Sequence, residues 1–259
     1  MTNLLDVEFY RQNGYVLAQA LFAPDEVAAM QREIDALFER AEAAGRTVEA
    51  TWRGQWRDAA GIGGATATAT ATKVDSMHNL QNQSALFTRF LVDPRLVDRA
   101  AELIGPNVQL HHTKLHNKPP AVGSPFPMHQ DYPYFPHEGD SMIAAVLHVD
   151  DANVENGCLC VVPGSHKLGA LEHCHDGSFY LPLDEWPLER AVPVEANAGD
   201  VLFFGYRMVH GSYVNRSERS RRILLVQMRS PTDRPLNDAH RSPGQGTMLR
   251  GINPDASQI

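Results

Sequence analysis

Apolar residues recur at helical spacing from Pro24 to about Ala44, where Val27, Met30, Ile34, Leu37, Phe38 and Ala41 share one face and Gly45 follows. This predicts an amphipathic helix. A second helical pattern runs through SALFTRFL and PRLVDRAAELIG, is interrupted at Pro94 and ends at Gly105. Between the two, Ala and Thr alternate strictly from Ala65 to Thr72 after Gly63 and Gly64. A period of two predicts a strand with a small apolar face and a hydroxyl face, delivering Lys73 at its end; a low-complexity linker is the alternative. Beyond residue 106 the texture changes to short apolar runs: Val108 to Leu115, Met142 to Val149, Leu159 to Val162, Val201 to Phe204 and Arg222 to Met228. Turn signals separate them at Asn156-Gly157, Pro163-Gly164 and Ala198-Gly199-Asp200. The chain therefore predicts a mainly β protein with flanking α-helices, a β-sandwich or jelly roll. It divides into a helical support (1–105), a β core (106–230) and a polar, Pro- and Gly-containing stretch (231–259) expected to be a mobile tail or lid.

With 259 residues, 43% of them apolar, the chain can bury one substantial core and is read as a single domain. Its net charge of −8 argues against nucleic acid or an acidic membrane surface as the principal partner, because phosphate binding needs clustered Lys and Arg. A small-molecule substrate is the default that remains. There is no run of eighteen apolar residues and no basic, apolar signal at the start, so a soluble, cytoplasmic protein is expected. Cys158, Cys160 and Cys174 cannot build a disulfide framework, and the run Cys158 to Val162 reads as a buried strand. His173-Cys174-His175-Asp176 has zinc-binding residue types, but no second pair stands at a finger-like spacing and nearby glycines suggest a surface loop.

The candidate chemistry lies in His129-Gln130-Asp131, followed by His210 and then by Arg221. Two imidazoles and a carboxylate can occupy one face of an octahedral Fe(II), leaving three positions for a bidentate co-substrate and O2. On a strand, residues i and i+2 share a side, so His129 and Asp131 would face inward together, as would His210 and Ser212 with the small Gly211 between them. A second triplet, His148-Val149-Asp150, has the same form; it closes an apolar strand and reads as running into a polar turn, with His148 at the surface or supporting the site from behind its ligands. His111, His112 and His116 fall on a strand with alternating faces, in structural roles or as a substrate contact. Tyr132, Tyr134, Phe135 and His137 follow the ligand pair and are candidate walls of a substrate pocket, with core packing as the alternative. Arg207 and Met208 are further candidates.

Several stretches together resemble the phytanoyl-CoA hydroxylase family of Fe(II)/2-oxoglutarate oxygenases: ATKVDS from Ala71, GPNVQLHHTKLHNKPP from Gly105, PMHQDYPYFP from Pro127, VENGCLCVVPGSHKLG from Val154, GDVLFF from Gly199, and the segment from His210 to Arg222. The resemblance implies a double-stranded β-helix, a cupin-like jelly roll with the metal inside its mouth. It implies His129, Asp131 and His210 as iron ligands, and Arg221, Ser212 and Lys73 as residues that bind 2-oxoglutarate. Arginine's planar fork suits a carboxylate, and Arg222, the neighbouring competitor, should face the other way. The implied activity consumes 2-oxoglutarate and O2, yields succinate and CO2, and hydroxylates an aliphatic carbon. Desaturation, epoxidation and ring chemistry are alternatives at the same site. Asp131 argues against halogenation, since related halogenases have a small residue there. Two positions depart from the family's mammalian member, which has a methionine and a tryptophan where this chain has Lys114 and Leu147. Lys114 is a candidate second cation for 2-oxoglutarate or an acidic substrate, or a solvent-facing residue at a strand edge. A cupin-type enzyme without 2-oxoglutarate would not need Arg221, Ser212 and Lys73, and a non-catalytic ligand-binding barrel would not need an intact ligand set.

Overall fold

The computed structural model describes residues 5–46, 49–50, 74–120, 124–175 and 177–255. The Ala/Thr strand expected over 65–72 and the expected co-substrate residue Lys73 lie outside these residues. The large sheet has the order β1-β11-β6-β13-β4-β3-β2, with β14 also paired to β4. Its members are β1 (Tyr15–Ala18), β2 (Glu49–Ala50), β3 (Val74–His78), β4 (Val108–Lys118), β6 (Ile143–His148), β11 (Val201–Gly205), β13 (Arg221–Arg229) and β14 (Met248–Arg250). The smaller sheet runs β10-β7-β12-β5, built from β5 (Phe126–His129), β7 (Leu159–Val161), β10 (Val192–Val194) and β12 (His210–Ser212). A hairpin of β8 (Cys174–His175) and β9 (Phe179–Tyr180) stands apart from both.

Alternation along β6 explains the layering. Ala145 and Leu147 point into one core with α1 (Val7–Asn13), α2 (Pro24–Ala43), α3 (Ala85–Leu91) and α4 (Pro94–Ile104), while Ala144 and Val146 point into a second core with Leu159, Val161 and Phe204. The first core lies between the helices and the large sheet; the second lies between the two sheets. All paired strands are antiparallel, giving the jelly roll that the short, turn-separated apolar runs predict.

The helical patterns of the sequence correspond to these elements, with Gly105 at φ 100 closing α4. Arg95 of α4 ties α4 to α2 through Glu26, at 2.7 and 2.8 Å, and to the cap of its own helix through Asp93. The arginine holds the Glu26 carboxyl down at about 2. The first 105 residues are more than a helical support, because β1, β2 and β3 extend the large sheet at both ends. Strand β1 has only four residues, too few to display a clear period.

The stretch after residue 230, expected to be a mobile tail, is docked against the barrel over its described residues. Asp233 is buried and accepts hydrogen bonds from Gly139 N (2.7 Å), Ser141 N (3.1 Å) and Ser141 Oγ (2.7 Å), and β14 adds to the sheet. Among the described residues no helix is long and apolar enough to cross a membrane.

Candidate functional site

The smaller sheet brings His129 and His210 together. His129 ends β5, His210 begins β12, and the two sit directly opposite in the antiparallel register, with ring centroids 4.3 Å apart. Each Nδ1 donates to the carbonyl two residues earlier, His129 to Pro127 O at 2.8 Å and His210 to Met208 O at 2.9 Å. A carbonyl only accepts, so both rings hold their proton on Nδ1 and present Nε2 as the lone-pair nitrogen. Asp131 Oδ1 lies 3.9 Å from each Nε2. Burial lowers the pKa of His129 to about 3 and of His210 to about 4, so both imidazoles are neutral, and burial raises that of Asp131. Gln227 Nε2 donates to Asp131 Oδ2 at 3.2 Å and orients the carboxylate. One ligand atom from each of the three residues falls within 4.8 Å of the others, an arrangement with the donor set of a facial-triad iron centre.

Strand alternation does not aim Asp131. The strand ends at His129, and Asp131 takes helical angles (φ −72, ψ −23) at the start of a 3-10 turn over Tyr132–Tyr134. Gln130 is fully buried and donates to Gly169 O (2.8 Å) and Arg207 O (2.6 Å), which pins the turn. Gly211 has a different value from the one its size suggests. A Cβ there would meet Phe126 O at 2.8 Å, so glycine lets β12 approach β5 closely enough to set His210 opposite His129.

Arg221 is 1% exposed and lines the same pocket. Its Nη2 donates to Gly157 O at 2.9 Å, while its buried Nε and Nη1 have no hydrogen-bond partner among the described residues. Burial lowers its pKa to about 10. A desolvated guanidinium with two unused donors is a fork awaiting an anion. Arg222 turns away, bonding Asp150 at 2.8 Å and Asp35 at 2.6 Å. Beside Arg221, the fully buried Lys118 donates to Ser212 Oγ at 2.7 Å and to Tyr213 O. Burial and the neighbouring Arg221 push its pKa well down. Lys118 is a functional candidate that the sequence does not single out; the signal available was its place at the end of β4, with register partner Arg221.

The pocket, a cavity of about 130 Å³, runs from Arg221 and Ser212 past His129, Asp131 and His210 to a rim that includes His112, Tyr134, Phe135 and His240. Lys114 and His116 also line it, and burial lowers Lys114 to a pKa of about 8. Tyr132 and His137 do not line it. Tyr132 packs on Tyr206 under the Arg207 guanidinium, and His137 bonds Phe135 O at 2.9 Å behind the wall. Met208 is core, and Arg207 faces Asp140 at 3.6 Å. Leu147 belongs to the helix-facing core and not to the pocket. The competing triplet is split. His148 is fully buried rather than at the surface, and Asp150 is taken by Arg222. The expected loop around His173 forms the β8–β9 hairpin, with His173 Nε2 accepting from Gln130 N at 2.9 Å.

This arrangement has close relatives. Residues 10–223 match the family of phytanoyl-CoA dioxygenase (PhyH). The peroxisomal phytanoyl-CoA dioxygenase of Rattus norvegicus is 29% identical over 242 residues, covering 86% of this chain and 68% of that protein. The ectoine dioxygenase of Bordetella parapertussis is 26% identical over 233 residues, 82% of this chain and 70% of that one. Among solved structures, the non-heme alpha-ketoglutarate-dependent carbocyclase SnoK from nogalamycin biosynthesis superposes with a TM-score of 0.70 at 26% identity, covering 95% of this chain and 93% of that one. With the family matched over most of the chain, the jelly roll in place and a neutral His pair beside a carboxylate, the chain belongs to the phytanoyl-CoA dioxygenase family of iron(II)- and 2-oxoglutarate-dependent dioxygenases.

Proposed function

We propose that this chain hydroxylates an aliphatic carbon of a small organic molecule, with one oxygen atom of O2 entering the product and the other entering succinate as 2-oxoglutarate loses CO2. The observation that carries this reading is Arg221, whose two unpartnered, buried guanidinium nitrogens open onto the pocket that His129, Asp131 and His210 line. Iron(II), which His129, Asp131 and His210 would hold, would supply the activation of O2 together with 2-oxoglutarate. The protein's residues do the rest. His129 and His210 offer lone pairs fixed by their backbone hydrogen bonds, and Asp131, held by Gln227, supplies the anionic donor. With the carboxylate in place, no position is given over to a halide, which favours hydroxyl transfer.

Arg221 donates through Nε and Nη1 to the far carboxylate of 2-oxoglutarate, and Ser212, held by Lys118, stands beside it to complete the anion's partners. The substrate then lies toward the rim, against Tyr134 and Phe135. Tyr134 acts as a wall, since its hydroxyl is already engaged by Phe179, accepting from N at 3.0 Å and donating to O at 3.2 Å. Val146, Leu159, Phe204 and Ile223 give the interior an apolar lining that excludes water from the reacting carbon. The unpaired cysteines and a reducing cytoplasm are in keeping with each other.

The test starts from anaerobic protein loaded with iron(II) and 2-oxoglutarate, exposed to O2 with a panel of candidate substrates. A true substrate raises succinate above the uncoupled background and gains one 18O atom from labelled O2. Protein that neither binds 2-oxoglutarate nor forms succinate under any condition contradicts the reading.

A further inference from the structure

A second set of imidazoles adjoins the pocket, two of them, His112 and His240, lining it. His111, His112 and His240 each place one ring nitrogen within 4.8 Å of the other two. Consecutive strand residues ordinarily face opposite ways, and the register shows why these do not. Gln227 of β13 lies opposite His112, but the next residue, Met228, lies opposite Leu110. One residue of β4 is extra, and it is His111. Such a bulge breaks the alternation and re-aims a side chain, so that the two rings meet with Nδ1 atoms 2.7 Å apart and centroids 5.0 Å apart.

His240 arrives from a segment far along the chain, with ring centroids 4.3 Å from His112 and 5.5 Å from His111. Its backbone is left-handed at φ 55, a conformation unfavourable for a histidine and kept only where the surroundings hold it. Buried polar atoms are left over as well. Nε2 of His111 and Nε2 of His240 have no hydrogen-bond partner among the described residues. At 2.7 Å the two Nδ1 atoms make a hydrogen bond when one ring carries its proton there, so a cation would displace that proton and sit beside the pair rather than between them. His111 and His112 are both buried, and a buried neutral imidazole offers a lone pair, which suits a cation better than an anion.

We propose that His111, His112 and His240 form a second divalent-metal site, separate from His129, Asp131 and His210. Three neutral imidazoles without a thiolate or carboxylate select a borderline ion such as Zn(II) or Co(II), four-coordinate with one open position. His112 and His240 both line the substrate pocket. The open position therefore takes water or a donor atom of the substrate, and the site holds one end of the substrate while its other end reaches the first centre.

Co(II) is the probe. Metal-stripped full-length protein is dialysed against Co(II), bound cobalt is counted by atomic absorption, and the visible spectrum is recorded. Wild type should hold two equivalents per chain, and His240→Asn, which tolerates the left-handed backbone, should hold one. His112→Gln, on a different element, should show the same loss, which separates ligand removal from local unfolding of the 240 segment. Both variants should lose the intense absorption of four-coordinate cobalt. Wild type holding one equivalent, lost in His129→Ala and retained in His240→Asn, overturns the proposal. Two equivalents retained in both His129→Ala and wild type, but one in His240→Asn, would leave this site standing and contradict the first centre instead.

Discussion

Replacing Arg221 with methionine separates anion binding from packing. The guanidinium is 1% exposed, makes one hydrogen bond to Gly157 O, and has two buried nitrogens without partners among the described residues. Two charge-assisted hydrogen bonds to a carboxylate, each worth about 1.5–3 kcal/mol, amount to about 3–6 kcal/mol, or a weakening of 2-oxoglutarate binding by about 10²- to 10⁴-fold. Without the ligand the sign differs. An under-partnered buried cation carries a desolvation cost, so an apolar side chain of similar length leaves stability unchanged or raises it. The assay is thermal unfolding of the anaerobic iron(II) form with and without 2-oxoglutarate. At ligand near 100 times the wild-type Kd, the gain is about 2.7 kcal/mol, and at about 2–4 °C per kcal/mol for a chain of this size it gives a shift of about 5–10 °C. Arg221→Met should melt no lower than wild type without ligand and shift by about 1 °C or less with it. A variant that melts far lower on its own and keeps the full ligand shift would show that Arg221 is a structural residue and refute the reasoning.

Lys118→Met should weaken 2-oxoglutarate binding by about 10- to 100-fold, the value of one charged hydrogen bond, while calorimetry shows iron affinity unchanged. Gln227→Leu removes the 3.2 Å bond to Asp131 Oδ2 and should cost about 10- to 100-fold in iron affinity, read by competitive chelation; an unaltered affinity would show that Asp131 needs no orienting partner. Gly211→Ala places a Cβ 2.8 Å from Phe126 O, and forcing β12 from β5 should cost about 1–3 kcal/mol in a denaturant titration and weaken metal binding with it. Acidification acts through the buried histidines, among them His148, whose pKa burial lowers to about 4. The unfolded chain binds the proton first, so the contribution of His148 to the stability of the metal-free protein is flat above pH 6.5 and falls as pH drops from 6.5 toward 4. At pH 5 that fall amounts to about 2 kcal/mol. His148→Leu should therefore lose less stability than wild type between pH 7.5 and pH 5, and equal losses would contradict the assignment.

Long apolar runs with clear periods were legible from sequence: α2, α4 and the strands β4, β6, β11 and β13 follow from Val, Ile, Leu and Phe at helical or alternating positions. That Arg221 and Arg222 turn to opposite sides was also legible, because adjacent strand residues face opposite ways. Short elements were not. The four residues of β1 and the three of β12 owe their conformation to pairing with neighbours distant in the chain. Parity failed where the backbone departs from a regular strand. Asp131 is aimed by a turn, and His111 joins His112 through a bulge that only the partner strand reveals. Lys118 stands behind the pocket through a contact 94 residues away to the lining residue Ser212, and His240 reaches the pocket across ring contacts to β4. No local pattern encodes such meetings. His148 looked like the end of a strand entering solvent, yet the barrel closes over it.

The most direct test of the central claim is an anaerobic titration of the iron(II)-loaded protein with 2-oxoglutarate, followed by the visible charge-transfer band of the chelate. The account predicts a saturable band at one equivalent per chain, absent in His210→Ala and shifted to far higher 2-oxoglutarate concentration in Arg221→Met. A band that forms unchanged in both variants, or no band in wild type with iron bound, would contradict it.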